Sequence, residues 1–375
     1  MTKLKIGILG TRGIPNNYGG FEQFAEHLSI GLVERGHEVW VYSSSNHSYK
    51  SSTWKGINII HCKDPENKLG TVGQFFYDRN CNLDARLRRY DILLHLGYTS
   101  DSIWHRLWPM RAVNLVNMDG LEWKRSKYNR LTQRFLKHAE SLAANHADVL
   151  ISDSLGIQNH LKDTYNKTSH YIPYGAEVFE YPEESRLEKY DLSPYQYFLV
   201  VARLEPENNI EMIIRGYLDS YNSHPMAIIG NTGTRYGKHI KERFGNQVRF
   251  LPPIYDPQEL NNLRFYSSIY FHGHSVGGTN PSLLEAMACN CYVAAHENVF
   301  NRSILGEDGA YFSNPRDVAD IIIAGENRPE TELFRAANLE KVKSLYNYTK
   351  VVTSYEKLML DSVLQLKHGA LHQTV

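Results

Sequence analysis

The sequence is poor in cysteine, has no long apolar run and carries no excess of either charge. Its four cysteines, Cys62, Cys81, Cys289 and Cys291, form no Cys-x-x-Cys pair, which argues against a disulfide scaffold and against a structural zinc site. No stretch approaches the 18 or more apolar residues of a membrane-spanning helix, and no signal-peptide core follows the first residues. We therefore expect a soluble protein of the cytoplasm.

The charges balance overall but not along the chain. The 375 residues include 41 Lys+Arg and 41 Asp+Glu, and 42% are hydrophobic, which argues against a dedicated nucleic-acid binder and against disorder. Residues 1–178 hold 22 basic and 17 acidic residues, a balance of +5, so residues 179–375 hold 19 and 24, a balance of −5. We expect the two halves to face different partners.

Short apolar segments alternate with helical patterns along the whole chain, which is typical of α/β domains with parallel sheets. The predicted strands are Lys5–Leu9, Glu38–Tyr42, Ile57–His61, Ile92–Leu96, Val113–Asn117, Val149–Ser152, Tyr197–Val201, Met226–Gly230, Val248–Leu251, Ile269–His272 and Tyr292–Ala295. The polar, acidic segment 178–184 contains a proline, so we predict a domain boundary between residues 178 and 179.

A glycine-rich loop between a predicted strand and a predicted helix is the strongest functional signal. The loop contains His274 and the run Gly277-Gly278-Thr279, and Pro281 marks the first turn of the helix. Backbone N–H groups at such a helix start favour a phosphate. Glu285, one turn into the helix and followed by small residues, is suited to accept hydrogen bonds from the hydroxyls of a ribose. The alternative for Glu285 is a solvated surface side chain.

Two further loops are candidates for phosphate binding. Arg203 follows the strand Tyr197–Val201, and the carboxyl end of a parallel strand is where open α/β sheets bind ligands; the alternative is a salt bridge to Glu205 or Glu207. Near the N-terminus, Gly19-Gly20 precede a predicted helix. The earlier glycines, at 7, 10 and 13, do not have the Gly-x-Gly-x-x-Gly spacing of a dinucleotide site, and the second strand ends in serines at 43–45 and not in the acidic residue that would bind a ribose. An ordinary strand–helix turn is the alternative for Gly19-Gly20.

Five motifs in order resemble the retaining glycosyltransferases of family 4. They are Tyr18-Gly19-Gly20-Phe21-Glu22, Arg35-Gly36-His37-Glu38-Val39, Ile172-Pro173-Tyr174-Gly175, Ala202-Arg203-Leu204 and Leu283-Leu284-Glu285-Ala286-Met287-Ala288-Cys289. The resemblance implies the GT-B fold, with two Rossmann-like domains facing a central cleft. Residues 1–178 would be the acceptor-side domain and 179–347 the nucleotide-sugar domain, with a last helix at about 348–367 packing back on the first.

The same resemblance implies a sugar transfer with retention and without a bound metal or other cofactor. Gly19, Gly20 and Arg203 would hold the donor diphosphate and Glu285 the nucleotide ribose. Two positions depart from the family: Gly277 stands where a glutamate usually contacts the donor sugar, and Asn208 where a lysine usually contacts the diphosphate. We expect His274, Asn208 and the backbone of Gly277-Gly278-Thr279 to substitute for them.

The segments Thr11–Pro15, 18–22 and Gly273–Pro281 resemble one branch of the family, associated with bacterial rhamnosyltransferases of surface polysaccharides. The implied donor is dTDP-L-rhamnose, and the implied acceptor is a lipid-linked or polysaccharide glycan. By the same resemblance, Asp119 follows a strand that points toward the reacting centre and would orient donor or acceptor hydroxyls, with Glu122 as a second candidate. The alternative for Asp119 is a helix N-cap.

Basic and aromatic residues are interleaved in two segments of the first half. Residues 124–138 contain six Lys/Arg and no acid, including Lys124, Arg125, Lys127 and Arg130, and residues 104–111 contain Trp104 and Trp108. Such segments bind anionic membrane surfaces, and a lipid-linked acceptor would place the protein at the inner face of the cytoplasmic membrane. The alternative is a solvated helix whose apolar stripe, including Leu131 and Phe135, belongs to the core.

Three other functions are compatible with this sequence. A sugar-nucleotide epimerase of the same architecture would act without an acceptor. A non-catalytic protein that binds nucleotide sugars could result from the departures at Gly277 and Asn208. An NAD-dependent dehydrogenase is least favoured, because no acidic residue follows the second strand to bind the ribose.

Overall fold

The computed structural model describes residues 2–17, 19–125, 128–325, 329–367 and 369, and these residues form two compact units. The first unit takes in the chain up to Lys124, residues 128–174 and the segment from Tyr348 onward, and the second takes in Arg125 and residues 175–347. The sequence placed the boundary after residue 178, and the structure places it after Tyr174. The helix from Tyr348 to Lys367 lies in the first unit.

An eight-stranded sheet organises the first unit. Its strands are Lys5–Leu9 (β1), Glu38–Ser44 (β2), Thr53–Trp54 (β3), Ile57–Cys62 (β4), Ile92–Leu96 (β5), Val113–Asn117 (β6), Val149–Ser152 (β7) and His170–Tyr171 (β8). The order is β3-β4-β2-β1-β5-β6-β7-β8, and every pair is parallel except β3 with β4. Strands β5, β6 and β7 are buried at every residue, as expected for a parallel sheet covered on both faces.

The described part of the first unit contains six α-helices. They are Gly20–Glu34 (α1), Glu66–Leu69 (α2), Val72–Leu87 (α3), Arg130–His146 (α4), Leu155–Tyr165 (α5) and Tyr348–Lys367 (α13), with short 3₁₀ helices at Ser102–Leu107 and Glu122–Lys124. The last helix packs on α1, where the rings of Phe24 and Tyr355 lie 5.4 Å apart and a Cβ on Gly31 would meet Val352 at 2.7 Å.

A six-stranded parallel sheet organises the second unit. Its strands are Phe198–Val201 (β9), Met226–Ile229 (β10), Arg249–Leu251 (β11), Ile269–His272 (β12), Val293–His296 (β13) and Ala310–Phe312 (β14), in the order β11-β10-β9-β12-β13-β14. Its helices are Ile210–Asp219 (α6), Arg235–Phe244 (α7), Pro257–Phe265 (α8), Pro281–Ala288 (α9), Val299–Leu305 (α10), Pro315–Ala324 (α11) and Thr331–Ser344 (α12). The strand order reverses direction between β9 and β12, which is where such sheets bind ligands.

A single buried carboxylate ties several elements of the first unit together. Glu140 on α4 accepts hydrogen bonds from Trp123 Nε1 at 2.9 Å, His160 Nε2 at 2.8 Å, Tyr165 OH at 2.8 Å and Tyr98 OH at 3.2 Å. Burial alone raises the pKa of Glu140, but the hydrogen bonds and the neighbouring His160 outweigh burial and the net pKa is lowered. The carboxylate therefore stays ionised and holds the segment around Trp123 against α4 and α5.

We predict that Glu140→Ala destabilises the first unit severely. The substitution leaves the donors of Trp123, His160 and Tyr165 without this acceptor. We therefore expect the free energy of unfolding to fall by about 3 kcal/mol or more, measured by urea denaturation. The control is Glu307→Ala, which removes an exposed ion pair with Arg302 and should change stability by less than about 0.5 kcal/mol. Equal effects of the two variants would contradict the structural role of Glu140.

Candidate active site

The predicted donor-binding residues of the second unit gather at the carboxyl ends of β9 and β12. Arg203 follows β9, the glycine loop 273–280 follows β12, and α9 starts at Pro281. The Ser282 hydroxyl on α9 lies 2.6 Å from Tyr270 OH and 3.4 Å from the carbonyl oxygen of Val201. These contacts bring the start of α9 to the same edge of the sheet as Arg203.

Arg203 is exposed at this edge. Within the described parts of the chain, no carboxylate lies within ion-pairing distance of its guanidinium. The expected alternative, a salt bridge to Glu207, is not formed, because Glu207 faces Arg125 Nη1 at 3.4 Å. The Arg203 guanidinium is thus available to an anionic ligand.

Arg125 does not belong to a basic membrane surface, and that prediction is wrong. The residue is buried, lies in the second unit and pairs with Glu207, whose side chain is also buried. Charges are rarely buried without such a partner. The basic pattern of residues 124–138 does not distinguish the buried Arg125 from exposed residues such as Lys124.

The side chain of Asn208 is engaged within the protein. Its Nδ2 donates to the carbonyl oxygen of Arg203 at 2.7 Å, and its Oδ1 lies 2.9 Å from His274 Nδ1. Asn208 was predicted to replace a phosphate-binding lysine. The contacts favour a different role, in which Asn208 fixes the loop that carries Arg203 and orients the imidazole of His274.

His274 is held as a neutral imidazole. Burial lowers the pKa of His274 well below its ordinary value, and the positive charges of Arg125 and Arg203 act in the same direction. The contact between Nδ1 of His274 and Oδ1 of Asn208 orients the ring. The backbone is fixed as well: the carbonyl oxygen of His274 accepts from Asn298 Nδ2 and Asn301 Nδ2 at 3.1 and 3.0 Å.

Gly277 is required by the backbone of this loop. Its φ is +137°, a region that residues with a Cβ rarely adopt, and a Cβ there would lie 3.0 Å from His274 Nε2. The glutamate usual at this position in the resembling family therefore cannot replace Gly277 without moving the loop. Gly278 and Thr279 are buried beside it, and the Asn280 side chain caps α9 by accepting from Ser282 N at 2.9 Å.

Glu285 has a partner that the sequence did not reveal. The Arg264 guanidinium, on α8, donates through Nη2 to Glu285 Oε2 at 2.5 Å. The Arg264 side chain is 3% exposed and that of Glu285 20% exposed, so Glu285 is neither a solvated surface residue nor an isolated carboxylate. The two residues are 21 positions apart on different helices, and neither periodicity nor a motif links them.

In the first unit, Gly19 and Gly20 lie at the start of α1. Gly19 has an extended φ of −169°, and a Cβ there would meet only Glu22 Oε2 at 3.4 Å. The preceding loop is anchored by Arg12, whose N–H donates to Glu22 Oε1 at 2.9 Å and whose guanidinium binds both oxygens of Glu66 at 3.1 and 2.7 Å.

Asp119 and Glu122 both follow β6 in the first unit and are half-buried. Asp119 is hydrogen-bonded to the buried hydroxyl of Tyr174; burial raises the pKa of Tyr174, and the charges of Asp119 and Asp153 add to the effect. Glu122 opens the 3₁₀ helix Glu122–Lys124. Tyr98 OH donates to the carbonyl oxygen of Gly120 at 3.2 Å and also contacts Glu140, so the Glu140 cluster fixes the loop that carries both acids.

The aromatic residues expected at a membrane surface are mostly internal. Trp108 is 5% exposed and packs 4.4 Å from the ring of His95, so its predicted membrane role is wrong. Trp104 is half-buried and donates to the carbonyl oxygen of Phe75 at 2.8 Å. Lys124 and Arg130 are exposed, and Lys127 lies outside the described residues.

An exposed apolar and basic face is nevertheless present on α3 and α4. Leu131 and Phe135 of α4 are 75% and 39% exposed, so the alternative that they belong to the core is wrong. On α3 the exposed residues at helical spacing are Val72, Phe76, Arg79, Leu83, Arg86 and Leu87. The rings of Phe75 and Phe135 lie 5.5 Å apart and join the two helices. We call this the α3–α4 face.

Across the residues that the structure describes, no group of three or more His, Cys, Asp or Glu side chains is arranged to hold a metal ion. None of the described helices is both long enough and apolar enough to cross a bilayer.

Comparison with known families agrees with this geometry. Residues 184–345 match the family described as "Glycosyl transferases group 1". Most of the second unit is therefore similar to group 1 glycosyl transferase domains. Residues 102–177 match a "Domain of unknown function (DUF1972)", and no curated protein matches the chain.

Solved structures extend the likeness to both units. Sucrose-phosphate synthase from Thermosynechococcus elongatus is 15% identical, with a TM-score of 0.78 over 96% of this chain and 99% of that one. HepE from Anabaena in complex with UDP-glucose is 13% identical, with a TM-score of 0.76 over 96% and 100%. α,α-Trehalose 6-phosphate synthase from Burkholderia multivorans is 11% identical, with a TM-score of 0.73 over 98% of each. The predicted GT-B fold is confirmed.

We predict that Gly277→Ala perturbs the loop after β12. A Cβ at φ +137° is strained, so we expect the free energy of unfolding to fall by about 1–3 kcal/mol. Gly233→Ala is the control, because Gly233 lies outside the left-handed region and its Cβ would meet only the Asn231 side chain. If Gly277→Ala and Gly233→Ala unfold at the same denaturant concentration, the backbone requirement at Gly277 is refuted.

Proposed function

We propose that the chain is a retaining glycosyltransferase that transfers L-rhamnose from dTDP-L-rhamnose to a lipid-linked or polysaccharide acceptor of a bacterial surface glycan. The observation that supports this most directly is the arrangement in the second unit. There an exposed arginine with no ion-pair partner in the described chain, a glycine loop and a helix start occupy one edge of the sheet, with Glu285 one turn into that helix.

The donor diphosphate is the natural ligand of Arg203 and the start of α9. A guanidinium makes strong, charge-assisted hydrogen bonds to phosphate oxygens, and backbone N–H groups at a helix start add favourable electrostatics. As the bond to the sugar breaks, negative charge grows on the leaving diphosphate. Donors fixed in advance stabilise that charge without reorganisation, which lowers the barrier of the transfer. We assign Gly19 and Gly20, at the start of α1, a further share in diphosphate binding.

The donor sugar is assigned to the loop that carries His274. The neutral imidazole forms a hydrogen bond with a sugar hydroxyl, and the backbone of Gly277-Gly278-Thr279 offers further polar groups. Gly277 supplies no carboxylate. L-Rhamnose lacks a hydroxyl at C6 and so requires fewer polar contacts than a hexose that retains it.

Asp119 and Glu122 are assigned to orient donor or acceptor hydroxyls. In a transfer with retention by front-face attack, the leaving diphosphate takes the acceptor proton. The protein then contributes mainly positioning. The hydrogen bonds from Tyr174 to Asp119 and from Tyr98 to Gly120 hold this segment in place.

A lipid-linked acceptor accounts for the α3–α4 face. The face combines exposed apolar side chains with Arg79 and Arg86, and α4 adds the exposed Arg130 and Arg134 beside it. Apolar side chains enter the interface of a membrane, and each arginine near an anionic surface contributes about 1 kcal/mol. We propose that this face rests on the inner leaflet of the cytoplasmic membrane.

We predict that dTDP-L-rhamnose binds the full-length chain more tightly than UDP-glucose or GDP-mannose, measured by calorimetry and by thermal shift. Arg203→Ala should weaken dTDP binding by about 10–100-fold, since one charge-assisted contact is lost, and should leave thymidine binding unchanged. Arg215→Ala is the control, because Arg215 pairs with Glu211 on α6. A preference for UDP-glucose or GDP-mannose would refute the rhamnosyl assignment, and unchanged dTDP affinity in Arg203→Ala would refute the diphosphate site.

We predict that the protein sediments with vesicles that contain phosphatidylglycerol and not with pure phosphatidylcholine vesicles. Replacing both Arg130 and Arg134 by Gln should lower partitioning about 25-fold, at about 1 kcal/mol each, and Leu131→Gln should lower it further. Leu333→Gln is the matched control, since Leu333 is equally exposed on α12 of the second unit. Equal binding to both vesicle types, or an equal loss in Leu333→Gln, would count against the α3–α4 face.

A further inference from the structure

A stripe of exposed cations runs along α4. Arg130, Arg134 and Lys137 follow one another at i, i+4 and i+7, the spacing that places side chains on one side of a helix. Within the described residues, none of the three lies within ion-pairing distance of a carboxylate. Residues 124–138 include no Asp or Glu. The described chain therefore leaves the positive charge of this stripe without a counter-ion.

A further exposed lysine meets the end of the stripe beside Trp123. The ammonium nitrogen of Lys124 lies 5.4 Å, and that of Lys137 5.1 Å, from the centre of the Trp123 ring. Because both distances are measured to one ring, the separation of the two nitrogens does not much exceed the Debye length in dilute salt, about 10 Å. The negative face of the indole attracts both cations, so two like charges are held close together.

The Trp123 ring is itself held in place. Trp123 is half-buried, and its Nε1 donates to the buried carboxylate of Glu140 at 2.9 Å. His160 and Tyr165 donate to the same carboxylate, each at 2.8 Å, so Glu140 is engaged below the surface. An anion that binds between Lys124 and Lys137 meets cations whose positions are fixed in advance, which reduces the cost of ordering them.

The cation stripe lies between an apolar surface and the Trp123 ring. Successive residues of an α-helix are turned by about 100°, so the side chains pass around α4 in the order Phe135, Leu131, Arg134, Lys137 and Glu140. The first two belong to the exposed α3–α4 face, and the last binds Trp123. Across this surface, apolar side chains are therefore followed by cations and then by the aromatic ring. Glu122, assigned to orient a sugar hydroxyl, directly precedes that ring.

This order matches an amphiphile in which an apolar chain, a diphosphate and a sugar follow one another. A diphosphate carries more than one negative charge, and ammonium groups make strong, charge-assisted hydrogen bonds to its oxygens. We propose that Lys124 and Lys137, held beside Trp123, bind the diphosphate of such an acceptor. The apolar chain lies along the α3–α4 face, and the attached sugar reaches Glu122.

This inference rests on the proposed function and deepens it, because it names the group that joins the acceptor sugar to its lipid. It differs from binding to an anionic membrane surface, in which the cations meet many headgroups and select no particular phosphate. It also differs from the donor site, since Lys124 and Lys137 lie in the first unit and Arg203 lies in the second.

Three probes separate the parts of the ligand. We expect calorimetry on the full-length chain to show farnesyl diphosphate binding about tenfold or more tighter than inorganic pyrophosphate, which lacks the apolar chain, and than farnesol, which lacks the phosphates. Farnesol that binds as tightly as farnesyl diphosphate would overturn the diphosphate site. Pyrophosphate that binds as tightly would show that a free anion suffices, and would overturn the assignment to an amphiphile.

Paired variants test whether the two lysines are the cause. Replacing both Lys124 and Lys137 by Gln should weaken the binding of farnesyl diphosphate about tenfold or more, since two charge-assisted contacts are lost. The control replaces Lys238 and Lys241 by Gln, an exposed pair on α7 of the second unit, and should leave the affinity unchanged. No loss in the first double variant, or an equal loss in both, would overturn the inference.

The double variant at Lys124 and Lys137 also separates this site from the membrane surface and from the donor site. Its affinity for phosphatidylglycerol vesicles should fall much less than its affinity for farnesyl diphosphate, and its affinity for dTDP should not change. An equal loss on the vesicles, or a loss of dTDP binding, would overturn the inference. If the unaltered chain binds farnesyl diphosphate as expected but does not bind dTDP, the proposed donor fails and this site stands. If it binds dTDP but shows no preference for farnesyl diphosphate, the inference fails and the donor site stands.

Discussion

The close approach of two backbones at the end of β12 is the constraint on which the site of the second unit depends. A Cβ on Gly273 would lie 2.0 Å from the carbonyl oxygen of Asn208, so only glycine allows the loop after β12 to lie against the turn that follows Arg203. That contact brings His274 within hydrogen-bonding distance of Asn208. It also allows Ser275 N–H to donate to the carbonyl oxygen of Glu207 at 3.0 Å. The position of Arg203 relative to the glycine loop is therefore set by main-chain packing.

Much of the fold could be predicted from the sequence because buried parallel strands consist of short runs of apolar residues. Strands β1, β5, β6, β7 and β12 have the predicted bounds, whereas β3, β8 and β14 have only two or three residues and leave no periodic signal. The strand-end position of Arg203 and the loop before α9 were also predictable, because the order strand, loop, helix fixes which residues share an edge. The contacts at this edge could not be predicted, since Asn208 meets His274, and Arg264 meets Glu285, only through tertiary packing.

Burial was the property that the sequence conveyed least well. Arg125 and Trp108 lie in segments that look basic and amphipathic, yet both are internal, whereas Leu131 and Phe135 look like core residues and are exposed. Some of the charged residues that make up the neutral balance are buried as well. Glu140 is buried among hydrogen-bond donors, and Arg264 and Glu207 are buried in ion pairs. These groups contribute to the net charge without contributing to the surface that a partner meets.

The return of α13 to the first unit has a consequence for biosynthesis. The Asn117 side chain lies 3.2 Å from Tyr355 OH, across 238 positions of the sequence, so a growing chain cannot complete the first unit until its last helix has left the ribosome. Apart from Arg125, the described part of the second unit lies within residues 175–347, and its contacts are available earlier. The domain that starts first in the sequence is therefore the one whose native packing is finished last.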